Sequence, residues 1–249
     1  MSSAPVKRVY TRERMLAWLE SLEQGSGTQV TVSLKAGAAP EEIKGHLKHV
    51  PAREEAIGHC ELHAGKGKTG SFVVWGPEHG FLVQPPFPVT RSCVTPELDV
   101  ETLRAMLSQD YLVGFILIRL GAFAVGVARG EKLLTSKVGT GNVHGRHRQG
   151  GSSAHRFERH RDKQIEYFIT RLCQYAREHL EPYQRQLDYL VLGGSTTAIE
   201  TAQKQCSFIA NLKTPQLPPQ LDIPDPRLPV LKQAVRDAWS STVYEYKND

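Results

Sequence analysis

Hydrophobic positions along the chain alternate between a helical and a strand period. From Arg12 to Leu22 the apolar residues Met15, Leu16, Trp18, Leu19 and Leu22 share one side of a 3.6-residue repeat, which predicts a short helix. Gln29–Leu34 (QVTVSL) alternates like a half-buried strand, and Pro40–Leu47 reads as helix. Gly70–Trp75 and Gly80–Gln84 read as strands joined by the turn-rich Gly76-Pro77-Glu78-His79. Residues 1–10 show neither period and are expected to be a flexible tail. Pro85–Pro88 (PPFP) punctuates the chain and makes 85–97 the expected boundary, with an N-terminal α+β region over 1–95.

Past that point the apolar runs lengthen. A helix at Pro96–Ser108 leads into Tyr111–Leu120, Ala122–Ala128 and Leu133–Val138. Gly121 and Arg129-Gly130-Glu131 separate these runs, which predicts a meander of three antiparallel strands. Residues 139–155 form a Gly-, Arg- and His-rich loop without a period. A long helix is expected from about 153 to 180, with Phe157, Ile165, Phe168, Ile169, Leu172, Cys173, Ala176 and Leu180 on one face. Tyr189–Leu192 reads as a buried strand, Ser195–Ala210 as a helix, and Pro215–Pro229 as non-helical. A helix near Val230–Trp239 and a strand at Thr242–Tyr246 follow. The pattern is α/β, mixed with α+β, and assigns 96–249 to a second domain.

Composition narrows the class. The 249 residues suffice for a sizeable core, and 40% hydrophobic with 23% charged residues excludes a largely disordered chain. The longest apolar run, Tyr111–Leu120, is interrupted by Gly114 and Arg119 and is too short for a membrane helix. The stretch MSSAPVKRVYTRERML has no apolar core of a secretory signal, so a cytoplasmic monomer is expected, with no membrane partner. Cys60, Cys93, Cys173 and Cys206 are widely spaced, and each is expected to be a buried thiol.

Charge is more telling once located. Lys137, Arg146, Arg148, Arg156, Arg159, Arg161 and Lys163 face only Glu158 and Asp162 between positions 137 and 163. That excess equals the whole formal net charge of +5. His144, His147, His155 and His160 lie in the same stretch and can protonate beside a polyanion. Such a concentration points to nucleic acid.

Three shorter motifs carry less. Gly65-Lys66-Gly67-Lys68-Thr69 has Leu62 where a phosphate-binding loop needs glycine, and a strand follows it, so a hairpin turn is expected. His59, Cys60 and His63 lack a distant fourth ligand and read as surface or turn residues; no metal is assigned. Gly193-Gly194-Ser195 reads as a strand-to-helix turn with Ser195 as N-cap.

The segment Val143–Phe168, VHGRHRQGGSSAHRFERHRDKQIEYF, combines glycines, bases and a following amphipathic helix. It resembles the loop and helix of the catalytic domain of archaeal and eukaryotic class-1 translation termination factors. In that family a His-Gly-Arg lead-in reaches Gly-Gly-Gln, then Ser-Ala, and Arg-Phe-x-Arg-x-Arg opens a long helix. Here the matching residues are His144-Gly145-Arg146, Gly150-Gly151, Ser153-Ala154 and Arg156-Phe157-Glu158-Arg159-His160-Arg161. Elsewhere Arg119–Gly126, Ser136–Gly139, Val191–Gly194 and Asp222–Leu228 look like the actinobacterial and chloroflexal branch of the Vms-like release factors. The Trp18-centred helix and Pro86-Phe87-Pro88 fit that branch too, so the similarity spans roughly 10–245.

The resemblance implies an RNase H-like α/β catalytic domain of the release-factor type. It implies a ribosome-associated peptidyl-tRNA hydrolase freeing nascent chains from stalled large subunits, with ribosomal RNA and peptidyl-tRNA as partners and no cofactor. Gln149, Gly150, Gly151 and Ser152 are the implied catalytic residues; Ser152 stands where termination factors carry Gln, and Gln149 is the nearest amide side chain. Arg146, Arg148, Arg156, Arg159, Arg161 and Lys163 are the implied RNA-binding residues. Two alternatives remain: a non-catalytic ribosome-binding surveillance factor, or an endonuclease cutting near the tRNA CCA end. Residues 139–155 have almost no apolar anchor, so the loop is expected to become ordered only in its RNA pocket. Ser152 or Ser153 is the expected N-cap of the long helix and Phe157 its first core anchor.

Overall fold

Period-two and period-3.6 segments alternate in the computed structural model, which describes residues 4–25, 29–143, 154–220 and 222–247. The chain runs β1 (Val6–Tyr10), α1 (Arg12–Glu23), β2 (Val30–Leu34), α2 (Pro40–Leu47), α3 (Glu54–Lys66), β3 (Ser71–Trp75), β4 (His79–Gln84), β5 (Cys93–Thr95) and α4 (Glu101–Ser108). It continues through β6 (Leu112–Arg119), β7 (Ala122–Arg129), β8 (Lys132–Thr140), α5 (Ala154–Leu180), β9 (Tyr189–Gly194), α6 (Thr196–Gln205), α7 (Ser207–Ala210), α8 (Leu228–Asp237) and β10 (Ser241–Lys247). Contacts divide it into two units, Met1–Gln109 with Arg236–Asp249, and Asp110–Val235. Among the described residues no helix is long and apolar enough to cross a membrane.

The first unit is built on a six-stranded antiparallel sheet in the order β1-β10-β4-β3-β2-β5. Val32, Leu34, Val73, Trp75, Leu82 and Tyr244 form a core with Ile43 and Leu47 of α2 and Cys60 and Ala64 of α3. Several expectations are corrected here. The supposed flexible tail contains β1, whose Val6 pairs with Glu245 of β10. The region around His59, Cys60 and His63 is a helix, and Gly65–Thr69 is the end of that helix and its turn into β3, not a hairpin.

The expected boundary at 95/96 lies inside this unit. The proline segment is no linker: Phe87 is fully buried with its ring 4.6 Å from that of Trp239, and Thr69 Oγ1 donates to the Pro85 carbonyl at 2.7 Å. Beyond it, β5 pairs with β2, and α4 lies against α1. The last strand, β10, also belongs to this first sheet rather than to the second domain.

The second unit holds a four-stranded sheet in the order β8-β7-β6-β9. β6, β7 and β8 form the expected antiparallel meander, and β9 returns parallel to β6 after the long crossover through α5. A parallel return needs such a crossover, which a helix supplies. On one face Ile116 and Ile118 of β6 and Phe123, Val125 and Val127 of β7 pack against Phe168, Ile169, Leu172, Ala176 and Leu180 of α5. Each fully buried Ile, Val, Leu or Phe among them contributes about 1.5–3 kcal/mol. The proline-containing segment after α7 runs along β9: Leu190 N–H donates to the Pro215 carbonyl and Gly194 N–H to the Gln220 carbonyl, at 2.9 and 2.8 Å. These bonds satisfy the outer edge of the strand.

Two cysteines depart from the expectation of isolated thiols. Cys173 of α5 and Cys206 form a disulfide across a separation of 33 residues. Cys206 also splits the expected single helix into α6 and α7, because its extended backbone (φ −113°, ψ 99°) interrupts the turn while its Sγ accepts from Ile209 N–H. Cys93 is exposed rather than buried; Cys60 is buried.

Candidate functional site

The basic segment sits where β8 hands over to α5. Gln149, Gly150, Gly151 and Ser152, with Arg146, Arg148 and the expected N-cap, lie outside the described residues. On either side the chain is fixed. Gly141 N–H donates to the Gly121 carbonyl at 2.9 Å, Val143 packs on the core, and α5 begins at Ala154.

Length explains how α5 presents its first turns. Its 27 residues extend about 40 Å at roughly 1.5 Å per residue, whereas an eight-residue strand such as β7 covers about 27 Å. The helix therefore overhangs the sheet. Packing against the core starts at Ile165, and the first fully buried residue is Phe168. Phe157 is not the first anchor: it is 57% exposed. The overhang carries Arg156, Arg159, Arg161 and Lys163, with His160 among them.

Spacing sorts these bases by face. Arg156, His160, Lys163, Gln164, Tyr167 and Arg171 recur at intervals of three or four and make one stripe. Arg159 flanks it. Arg161 continues the core stripe of Ile165, Phe168 and Leu172 past the sheet and is half-buried. Arg156 and Lys163 are thus brought onto one side and Arg161 onto another.

Beside that stripe lies a cleft of about 450 Å³, lined by Thr140 at the end of β8, by Gly141 and Asn142 after it, and by His160, Lys163, Gln164, Tyr167, Phe168 and Arg171 of α5. Arg171 Nη1 donates to the Thr140 carbonyl at 3.1 Å and ties the strand end to the helix. Gly141 permits the approach: a Cβ there would sit 2.6 Å from a ring carbon of the buried Phe168. Gln164 Nε2 and His160 Nε2 share a 3.3 Å hydrogen bond, and the Arg171 guanidinium lies 6.0 Å from the centre of the Tyr167 ring. Tyr167 is 67% exposed. Sequence reasoning counted only the apolar face of α5 and passed over Gln164, Tyr167 and Arg171. The signal available was the polar and aromatic repeat on its opposite side.

The other flagged motifs are structural. Ser195 caps α6, its hydroxyl accepting from Ala198 N–H at 3.2 Å. Gly194 adopts φ +109°, and a Cβ there would collide with the Ile118 carbonyl. His59 and His63 stack at 4.1 Å, and His59 Nδ1 shares a 2.6 Å hydrogen bond with the Tyr246 hydroxyl. Burial pushes the Cys60 thiol up to about 11, where it is protonated at neutral pH. Among the described residues no three His, Cys, Asp or Glu side chains gather in a way that would hold a metal ion.

Residues 111–244, more than half of the chain, match the family model described as the Actinobacteria/chloroflexi VLRF1 release factor. The chain belongs to this family. The matched region contains the meander, the basic segment and all of α5. Among curated proteins, this VLRF1-family chain is 31% identical over 121 residues to peptide chain release factor subunit 1 of Archaeoglobus fulgidus, covering 48% of the chain and 30% of the relative. It is 25% identical over 226 residues to the protein of that name from Methanocaldococcus jannaschii, covering 78% and 53%. The chain thus spans between about a third and a half of these relatives' length. Among solved structures it is similar to an archaeal translation termination factor, aRF1, at 16% identity and a TM-score of 0.40, covering 92% of this chain and 70% of the other. Similarity to the Vms1 mitochondrial localization core is at 10% identity and a TM-score of 0.40, covering 87% and 96%.

Proposed function

We propose that this VLRF1-family protein is a ribosome-rescue release factor that hydrolyses the ester between a nascent peptide and its tRNA on stalled large subunits. The observation that carries the reading is the family match over 111–244, which includes the Gly150-Gly151 pair and the basic helix that follows.

The chemistry asks little acid–base machinery of the protein. Water attacks the ester carbonyl carbon, the bond to the ribose 3′ oxygen breaks, and that oxygen takes up a proton. Glycines admit a backbone N–H close to the reacting atoms because no Cβ intervenes. The Ser152 amide after Gly150-Gly151 stabilises the charge that builds on the carbonyl oxygen, and the Gln149 side chain helps position the water. Arg146, Arg148, Arg156, Arg159, Arg161 and Lys163 hold the phosphates around that centre without reading sequence. Gln149→Ala should slow release; unchanged release would remove Gln149 from the mechanism.

Ser152 in the place of the usual glutamine favours a second reading, a factor that binds the ribosome without hydrolysing anything. Sequencing tRNA 3′ ends after incubation with stalled large-subunit complexes separates the readings. Free peptide with intact CCA ends is the expected result. Shortened ends would identify an endonuclease, and bound protein with no released peptide would identify the surveillance factor.

A further inference from the structure

We propose that the cleft between the end of β8 and α5 is a binding site for one nucleotide of single-stranded RNA, its base stacked on Tyr167 and its phosphate held by Lys163 and Arg171. The proposal rests on the reading of the protein as an RNA-bound factor, and it assigns a role to residues other than Gln149–Ser152.

Size and chemistry agree on this occupant. A volume of about 450 Å³ falls among small-ligand pockets of roughly 300–1,000 Å³. Tyr167 is an aromatic ring left 67% exposed where most aromatic area in a folded domain is covered. Every base has a flat face, so an exposed ring beside cations is a platform for a strand rather than a reader of its sequence. The Arg171 guanidinium already lies 6.0 Å from the centre of this ring and is held by its hydrogen bond to the Thr140 carbonyl. Lys163 lies one turn before Tyr167 on the same stripe, the spacing at which its ammonium can reach the phosphate of a stacked base. Gln164, His160 and Asn142 supply donors and acceptors for base or ribose edges. The cleft opens beside the overhang that carries Arg156 and Arg159, so a strand leaving it continues along further bases.

A double helix does not fit. Its bases are stacked on one another and cannot lie on Tyr167 without being pulled out of the duplex. The ligand is thus an unpaired nucleotide, from either a tRNA 3′ end or an unpaired stretch of ribosomal RNA.

Fluorescence anisotropy of the full chain with labelled RNAs of about 12 nucleotides tests this, since single-strand sites span roughly 4–16. Three probes are used: a single strand ending in CCA, an unrelated single strand, and a duplex. Tyr167→Ala should weaken single-strand binding about five- to a hundredfold while Tyr167→Phe binds like wild type and thermal midpoints stay unchanged. Lys163→Ala should weaken all single strands alike and flatten the salt dependence. Preference for the CCA strand assigns the site to the tRNA end; equal affinity assigns it to any unpaired strand. Unchanged binding by Tyr167→Ala, equal losses in the Ala and Phe variants, or duplex binding as tight as single-strand binding would overturn the proposal. Peptide release by a wild-type protein whose RNA affinity ignores Tyr167 would sink the cleft and leave the hydrolase intact. Tyr167-dependent binding without peptide release would do the reverse.

Discussion

Gly194 shows how one position can be settled by sterics alone. At φ +109° an L side chain is strained, and a Cβ there would meet the Ile118 backbone, whose carbonyl carbon would be only 2.7 Å away. Gly194→Ala should therefore lower stability by about 2 kcal/mol or more, read as a shift of the urea midpoint. The two phenylalanines of α5 form a contrasting pair. Phe168 is fully buried beside Phe123, at a ring distance of 5.7 Å, so Phe168→Ala should cost about 3–5 kcal/mol. Phe157 is 57% exposed, and Phe157→Ala should stay within about 0.5 kcal/mol. Equal costs in the two variants would mean that α5 packs along its whole length and does not overhang.

At the scale of elements, the Cys173–Cys206 bond ties α5 to the break between α6 and α7. Closing a 33-residue separation removes unfolded-state entropy worth about 3–4 kcal/mol in the chain-entropy treatment. Cys173→Ala, or reduction, should lower the unfolding midpoint accordingly, and the loss by reduction should vanish in the variant. A pH effect belongs to the other unit. Burial lowers the pKa of His59 and, first among several causes, that of His63, which also faces His59, Lys66 and Lys7. The unfolded chain then takes up protons first. Stability is full above the ordinary histidine value of 6.5 and falls as pH drops below it toward the folded values. Trp18, Trp75 and Trp239 all lie in the first unit, so tryptophan fluorescence reads that unit selectively. His63→Gln should flatten the decline; an identical slope would clear His63 of the effect.

Elements also show what the sequence could disclose. β6, β7 and the core face of α5 were legible because long apolar runs and a 3.6-residue repeat record burial directly. β1 was not, since an edge strand holds on by backbone bonds and its VKRVY side chains are nearly all exposed. α3 was hidden by His, Gly and Glu, with only Cys60 and Ala64 buried. The disulfide and the Tyr167 cleft depend on residues brought together by the crossover of α5, which no local pattern encodes. The Gly-Gly segment was visible as a motif, and the family match supplies its context.

For the whole molecule, the formal charge of +5 is concentrated between Lys137 and Lys163, and affinity for large-subunit RNA should follow from that arrangement. Binding should weaken steeply between ~50 and ~200 mM salt, and the double change Arg156→Ala with Arg159→Ala should reduce the log–log slope by about 1–2. A flat salt response would contradict an electrostatic grip on RNA. The most direct measurement is peptide release from stalled large-subunit–peptidyl-tRNA complexes by the wild-type protein and by Gly151→Val, with ribosome co-sedimentation of both. The account predicts release by the wild type, none by the variant, and co-sedimentation by both. Normal release by Gly151→Val would contradict it, as would a wild type that binds the complexes and leaves every peptide attached.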